Sequence, residues 1–150
     1  MLLGIGDWIG RGSIWTDGES LGDQIKCDVL VTEEVSGMTI NAKISPASSD
    51  EITLSAHVVS NPEGTYSLEV ALLSQLCSGV AKLDSFPLHG MLWNEEGGIL
   101  SSFTVFSLDS GLGFRGFARA NGHIRTWEIR FSQDRIKHKD NVVAFRSDGR

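Results

Sequence analysis

The chain has 150 residues, of which 41% are hydrophobic and 21% charged, and its formal net charge is −6. This length predicts one globular domain, residues 1–150, with enough chain for a single hydrophobic core. The acidic balance argues against a nucleic-acid partner, because phosphate contacts require an excess of Lys and Arg. No apolar run reaches membrane-spanning length and no signal peptide is recognisable, so we expect no membrane partner and a cytoplasmic protein.

The first predicted element is a strand that begins with the stretch GDWIGRG, residues 6–12. Because strand residues alternate between two faces, Trp8, Gly10 and Gly12 share one face. Glycine permits the sharp bends and close backbone approaches that a closing barrel strand needs, and a tryptophan can fill the end of a barrel. We therefore expect Gly6, Trp8, Gly10 and Gly12 to close a β-barrel, with Trp8 sealing one end.

The middle of the chain repeats the same alternation. Apolar residues occupy every second position in residues 25–31, 38–44, 52–58 and 66–72, and turn signals such as Ser36-Gly37 separate them, which is typical of antiparallel hairpins. The segment 68–83 is ambiguous, because its leucines also fit a helical stripe. We predict a strand to about residue 73 and leave open a short helix around Gln75.

The last third of the chain contains the strongest hairpin, Arg115 to Phe131, around Asn121-Gly122. The charged residues 133–141 predict a loop, and a last strand, Val142 to Arg146, is expected to close the sheet. With about ten strands and almost no helix, the sequence predicts an all-β fold, an antiparallel up-and-down barrel of about 8–10 strands, because closure removes the sheet edges.

The opening motif supports a family resemblance. Gly6-Asp7-Trp8 resembles the Gly-x-Trp of the lipocalin and calycin superfamily, and its extension through Gly10 and Gly12 resembles the start of nitrobindin-like and related small bacterial lipocalin-like domains. This resemblance implies a barrel that holds a small apolar or amphipathic molecule. It also implies an arginine packed over Trp8, for which Arg130 and Arg146 are candidates.

Nitrobindin-like proteins hold haem through a histidine near the C-terminus. The last predicted strand of this chain reads NVVAFRS and carries no histidine, and His138 precedes it in a charged stretch. We therefore expect no haem and no other cofactor. No residues have a metal-chelating spacing such as CxxC or HExxH, so no metal site is expected, and Cys27 and Cys77 are predicted to be buried free thiols.

Two predicted strands carry candidate ligand-binding residues. His89 and Trp93 share the parity of one strand, and His123, Arg125 and Trp127 share the parity of another. In a barrel wide enough for a ligand, faces with large aromatic side chains line the cavity. These five residues are therefore predicted to bind ligand, and the alternative for each histidine is a structural role at the start of a strand.

Three functions are left open by the sequence. The first is a binding protein for a small apolar or amphipathic molecule, which the absence of a catalytic motif such as GxSxG favours. The second is an enzyme with isomerase- or hydrolase-like chemistry, in which His89 or His123 is the acid–base group near Arg125. The third is a filled structural or oligomerising barrel.

An outward-facing tryptophan indicates a contact surface. Trp15 has the opposite parity to Trp8, so one of them faces out of the barrel. Together with Phe103, Val105 and Phe117, it would form an apolar patch suited to a homodimer, and the alternative is that these aromatic side chains belong to the core.

Overall fold

The computed structural model describes residues 3–82 and 86–134 of the chain. These residues form ten β-strands and no helix. In chain order, the strands are β1 (Gly6–Thr16), β2 (Asp23–Glu34), β3 (Gly37–Pro46), β4 (Ile52–Ser60), β5 (Thr65–Leu72), β6 (Gln75–Lys82), β7 (Leu88–Trp93), β8 (Ile99–Leu108), β9 (Gly111–Ala120) and β10 (His123–Gln133).

The ten strands form one closed barrel. Each strand pairs in antiparallel fashion with the next one along the chain, and β1 pairs with β10. This confirms the predicted all-β, up-and-down architecture. One expectation was wrong: β10, rather than Val142–Arg146, closes the sheet on β1, because the alternating residues of β10 already supply a full-length partner. Residues 142–146 lie outside the described part of the chain.

Two of the hairpins have two-residue turns with left-handed backbone. Asn121 and Gly122 have φ values of 53° and 76°, and Leu73 and Ser74 have values of 50° and 63°. Such pairs of positive φ match the twist of the flanking strands. The first turn was predicted. The second resolves the ambiguous segment, because β6 begins at Gln75 as a strand and no helix forms there.

In β2 to β5, the faces predicted from alternation are the faces observed. In β2, Ile25, Cys27, Val29 and Val31 are buried, whereas the residues between them are exposed. The inward side chains pack most tightly at the end where β1 begins and β10 finishes, which we call the closed end. The buried residues near this end are Trp8, Val31, Met38, Val58, Tyr66, Ala81, Leu88 and Leu112.

The opposite end of the barrel, where β1 finishes and β10 begins, is here called the mouth. Several inward-facing apolar side chains nearer the mouth are only partly buried, although Ile25 and Cys77 are buried there. These partly buried residues include Ile14, Ile44, Leu54, Leu92 and Trp127. The packing of the interior is therefore uneven, and it is denser at the closed end.

Candidate functional site

Trp8 lies inside the barrel at the closed end. Only 8% of its surface is exposed, and its indole Nε1–H donates a 2.8 Å hydrogen bond to the carbonyl oxygen of Gly4. That acceptor satisfies the one polar group that a buried tryptophan carries. The Trp8 ring is therefore held in one orientation among the buried side chains of the closed end.

The glycines of β1 allow β10 to approach closely. A Cβ atom at Gly10 would collide with the ring of Phe131, and one at Gly12 would collide with the carbonyl oxygen of Glu128. Gly6 has a φ of 124°, a conformation that side chains rarely adopt. Each of the three positions therefore requires glycine for its own reason. Gly10 and Gly12 lie at the seam between β1 and β10 that closes the barrel, and Gly6 has a positive φ.

The arginine that the resemblance implied does not come from β10. Arg130 is exposed and lies on the outer face of the barrel, directly opposite Arg11 of β1, whereas Trp8 faces inward. Arg146 lies outside the described residues.

The main feature of the interior is a cluster of four aromatic side chains on β8, β9 and β10. Phe114 is at its centre, with ring centroids 5.7 Å from Phe103, 5.6 Å from Trp127 and 6.3 Å from Phe131. These are the separations at which aromatic pairs attract one another. All four rings pack against the core but are only partly buried. We call Phe103, Phe114, Trp127 and Phe131 the inner aromatic wall.

Glycines on the neighbouring strands make room for these rings. Gly116 pairs with Trp127 and Gly90 pairs with Phe103, and a Cβ atom at either glycine would overlap the ring opposite. A glycine directly across from an aromatic residue leaves the space above its backbone to the ring. In these pairs an aromatic residue on one strand lies opposite a glycine on the next. This complementarity in side-chain size cannot be recognised from either strand alone.

Trp127 differs from Trp8 in its hydrogen bonding. Its indole Nε1 is buried and has no hydrogen-bond partner among the described residues. An unpaired buried donor costs about 1–3 kcal/mol, so such a group calls for an explanation. An acceptor placed beside this N–H would recover that free energy.

His123 and Arg125 lie at the mouth, on the same face of β10 as Trp127. Both side chains are exposed. The His123 Nδ1 atom is 3.4 Å from Oδ1 of Asp17, and the same carboxylate oxygen accepts a 3.1 Å hydrogen bond from the Ile124 N–H. Asp17 therefore orients the imidazole at the rim, and acid–base chemistry at His123 stays a prediction.

His89 and Trp93 lie elsewhere, on the outer face of β7. His89 is exposed, with its Nδ1 atom 3.0 Å from the Thr104 hydroxyl, whereas Leu88, Gly90 and Leu92 take the inward positions. The expectation that His89 and Trp93 share the interior with Trp127 does not match this placement. Parity identifies the residues that share a face, but it does not decide which face turns inward. In β7 the face with two leucines and a glycine turns inward, and the face with His89 and Trp93 turns outward.

No protein-family model, curated protein or solved structure matches this chain. The closed antiparallel barrel is consistent with a lipocalin- or calycin-like barrel.

The two cysteines are buried free thiols, as predicted. Burial, with a smaller contribution from the charge of Asp28, raises the pKa of the Cys27 thiol to about 11, and burial also raises the pKa of Cys77. Within residues 3–82 and 86–134, no group of three or more His, Cys, Asp or Glu side chains is arranged to hold a metal ion. The same residues contain no apolar helix long enough to span a membrane.

Proposed function

We propose that this protein binds a small apolar or amphipathic molecule inside the barrel, against the inner aromatic wall. One observation carries the proposal: four aromatic rings face the interior of a closed barrel and are still only partly buried. About eight strands already give an interior just wide enough for side chains to fill, and this barrel has ten. Partial exposure of inward rings is what an unfilled space beside them would produce.

The polar groups near the wall favour a particular kind of ligand. The unpaired N–H of Trp127 favours a molecule with a hydrogen-bond acceptor next to its apolar body. Arg125 and His123, farther along β10 at the mouth, favour a polar or anionic group directed outward. This arrangement agrees with the ligand class that the lipocalin-like resemblance implies, an apolar body with one polar end.

The test is the titration of the protein with anilinonaphthalene sulfonate, a fluorescent probe with an apolar body and one anionic group. We expect saturable binding that Trp127→Ala weakens by roughly tenfold, which corresponds to about 1.4 kcal/mol. Trp15→Ala is the matched control, because Trp15 lies on the outer face of the adjacent strand. Trp127→Phe keeps a ring in place and separates the loss of the N–H from the loss of packing.

Two results would contradict this proposal. One is a fluorescence change that does not saturate with probe concentration. The other is equal binding by the wild-type protein and by folded Trp127→Ala, with Trp15→Ala as the weaker variant, since that pattern would place the probe on the outside of the barrel.

A second candidate function is self-association through the outer surface. Exposed apolar side chains lie in two neighbouring rows on this surface. The first row crosses β6 to β10 and β1, where the register runs Val80–Met91–Ser102–Phe117–Thr126–Trp15. The second row is shorter and runs Leu100–Arg119–Ile124 across β8, β9 and β10. The apolar side chains of these two rows are 38% to 47% exposed. We call the six exposed residues the outer apolar belt: Trp15, Val80, Met91, Leu100, Phe117 and Ile124. Phe103 and Val105, which were expected to extend such a patch, face the interior instead.

We propose that a second copy of this chain covers the outer apolar belt. Six side chains with these exposures present roughly 500 Å² of apolar surface, more than half of the about 800 Å² that each partner buries in a standard interface. The belt is bordered on the sheet by Arg115 and Glu128, which are paired with each other at 3.0 Å. Opposite charges at its border suit an isologous contact, in which each patch meets its own copy.

Light scattering during size-exclusion chromatography tests this contact. We expect a dimer that Phe117→Glu converts to a monomer, while Leu30→Glu, which changes an equally exposed leucine on β2 outside the belt, leaves it dimeric. A monomeric wild-type protein at high concentration would contradict the contact, and so would equal dissociation by the two variants.

A further inference from the structure

The outer face also carries a row of three cations at the seam of the barrel. Arg11 of β1 lies directly opposite Lys26 of β2 on one side and Arg130 of β10 on the other. All three side chains are exposed. We call Lys26, Arg11 and Arg130 the cationic row. Like charges directly opposite one another on neighbouring strands destabilise a sheet, so this arrangement has a cost in the isolated protein.

The nearby carboxylates do not offset that cost. No carboxylate of the described residues lies within ion-pair distance of Lys26, Arg11 or Arg130. Glu128, two residues before Arg130 on the same face, pairs with Arg115 at 3.0 Å. Asp28, two residues after Lys26, lies opposite Lys43 in the register. Within the described residues, the three cations therefore lie side by side without a direct ion pair to a carboxylate.

A surface depression lies beside the two arginines. It has a volume of about 550 Å³, and Arg11 and Arg130 lie along it together with Ser110, Ser132 and the backbone of Gly111. Leu112 is buried inside the barrel, so its neighbour Gly111 falls at an outward position of β9 that carries no side chain. Asp109, in the turn before β9, is the single carboxylate that the described residues place along the depression. The depression thus combines two guanidinium groups, the hydroxyl groups of Ser107, Ser110 and Ser132, and bare backbone.

We propose that this depression binds a phosphate group, with Arg11 and Arg130 as its principal ligands and Lys26 as a supporting charge. Guanidinium groups donate paired hydrogen bonds in a fixed fork that matches the oxygens of phosphate and carboxylate. A carboxylate has two oxygens and is satisfied by one fork, whereas a tetrahedral phosphate has enough oxygens for two forks. Two arginines from adjacent strands therefore favour phosphate over carboxylate, and the serine hydroxyl groups can bind a further oxygen.

The proposal concerns the outer face and does not depend on ligand binding in the interior. The phosphate can belong to a soluble phosphate compound or to the headgroup of a phospholipid, since the chemistry recognised is the same. Binding of either would remove the repulsion between the two arginines. The site is consequently expected to stabilise the fold when it is occupied and to destabilise it slightly when it is empty.

Thermal unfolding of the full chain at low ionic strength tests both the stabilisation by bound phosphate and the destabilisation of the empty site. With inorganic phosphate at about ten times its dissociation constant, the melting temperature of the wild-type protein should rise by roughly 3–5 °C. Arg11→Gln and Arg130→Gln should each weaken phosphate binding by roughly tenfold or more, as expected for the loss of a charge-assisted contact. Arg119→Gln is the matched control, because Arg119 is an exposed arginine of β9 away from the cationic row.

The phosphate-free proteins provide the second readout. Without phosphate, Arg11→Gln should melt about 1–3 °C higher than the wild type, since it removes the like-charge pairs with Lys26 and Arg130, and salt should abolish this difference. Arg119→Gln should show no such gain. A structural role of Arg11 would instead lower the melting temperature, so the sign of this shift separates the two explanations.

Vesicles distinguish the two sources of phosphate. Cosedimentation with phosphatidylcholine vesicles containing phosphatidic acid, lost in Arg11→Gln, would assign the site to a lipid headgroup. Saturable binding of inorganic phosphate without cosedimentation would assign it to a soluble compound. The proposal is overturned if neither probe binds, or if Arg11→Gln and Arg119→Gln reduce binding equally.

Discussion

Removal of the Trp8 ring perturbs the closed end of the barrel directly. Trp8 is 8% exposed, lies in the main core cluster and donates a hydrogen bond to Gly4. Truncation of a buried tryptophan to alanine costs about 3–5 kcal/mol, because the apolar area returns to water and the cavity only partly collapses. Since a domain of this kind is stable by about 5–15 kcal/mol, Trp8→Ala should lose a large part of its stability.

Two further variants divide this loss into its causes. Trp8→Phe keeps an aromatic ring but removes the hydrogen bond to Gly4, and it should cost about 1–2 kcal/mol. Trp15→Ala removes the same side chain from the outer face of the same strand, where 40% of it is exposed, and it should cost about 2 kcal/mol. The free energy of unfolding is measured by urea titration. Equal losses in Trp8→Ala and Trp15→Ala would refute the assignment of Trp8 to the closed end.

Three other predictions follow from particular residues. Gly12→Ala should destabilise the protein by at least about 2 kcal/mol, because its Cβ would overlap the Glu128 carbonyl oxygen, whereas Gly98→Ala, which meets no atom within 4 Å, should be neutral in the same urea assay. Replacing Leu73-Ser74 by Asn-Gly should stabilise the protein by about 1–2 kcal/mol, since both residues have positive φ, and an unchanged unfolding midpoint would contradict this. The raised pKa of Cys27 predicts that the free energy of unfolding falls by about 2 kcal/mol as the pH rises from 9 to 11, because the unfolded thiol ionises first. Cys27→Ala should lose less over this range, and an equal fall in both proteins would show that Cys27 does not contribute.

The sequence predicted the fold closely because two local signals agreed along most of the chain. Alternation in β2 to β5 identified the inward residues, and Asn121-Gly122 identified the final hairpin. The β5–β6 hairpin was missed as a hairpin because Leu73 and Ser74 adopt a turn conformation that usually selects asparagine and glycine. The residue types at positions 73 and 74 therefore do not indicate the turn, because the pairing of β5 with β6 imposes its conformation.

The candidate site was predictable only in part, because its geometry depends on contacts between strands. Trp127 was identified from its own strand, but the inner aromatic wall required the pairing of β8, β9 and β10, which brings Phe114 to its centre. The orientation of β7 could not be read from parity alone, so His89 was expected inside. The cationic row has the same origin, since Arg11 and Arg130 are far apart in sequence and become neighbours only when the barrel closes.

The most direct test of the central claim, that the barrel interior holds a ligand beside Trp127, is fluorine NMR of the protein labelled with 5-fluorotryptophan. The chain has four tryptophans, and the described structure places Trp8 at the closed end, Trp15 and Trp93 outside and Trp127 on the inner aromatic wall. Titration with anilinonaphthalene sulfonate should shift the Trp127 resonance saturably and leave Trp15 and Trp93 unchanged. A saturable shift confined to Trp15 or Trp93, with Trp127 unaffected, would contradict the claim.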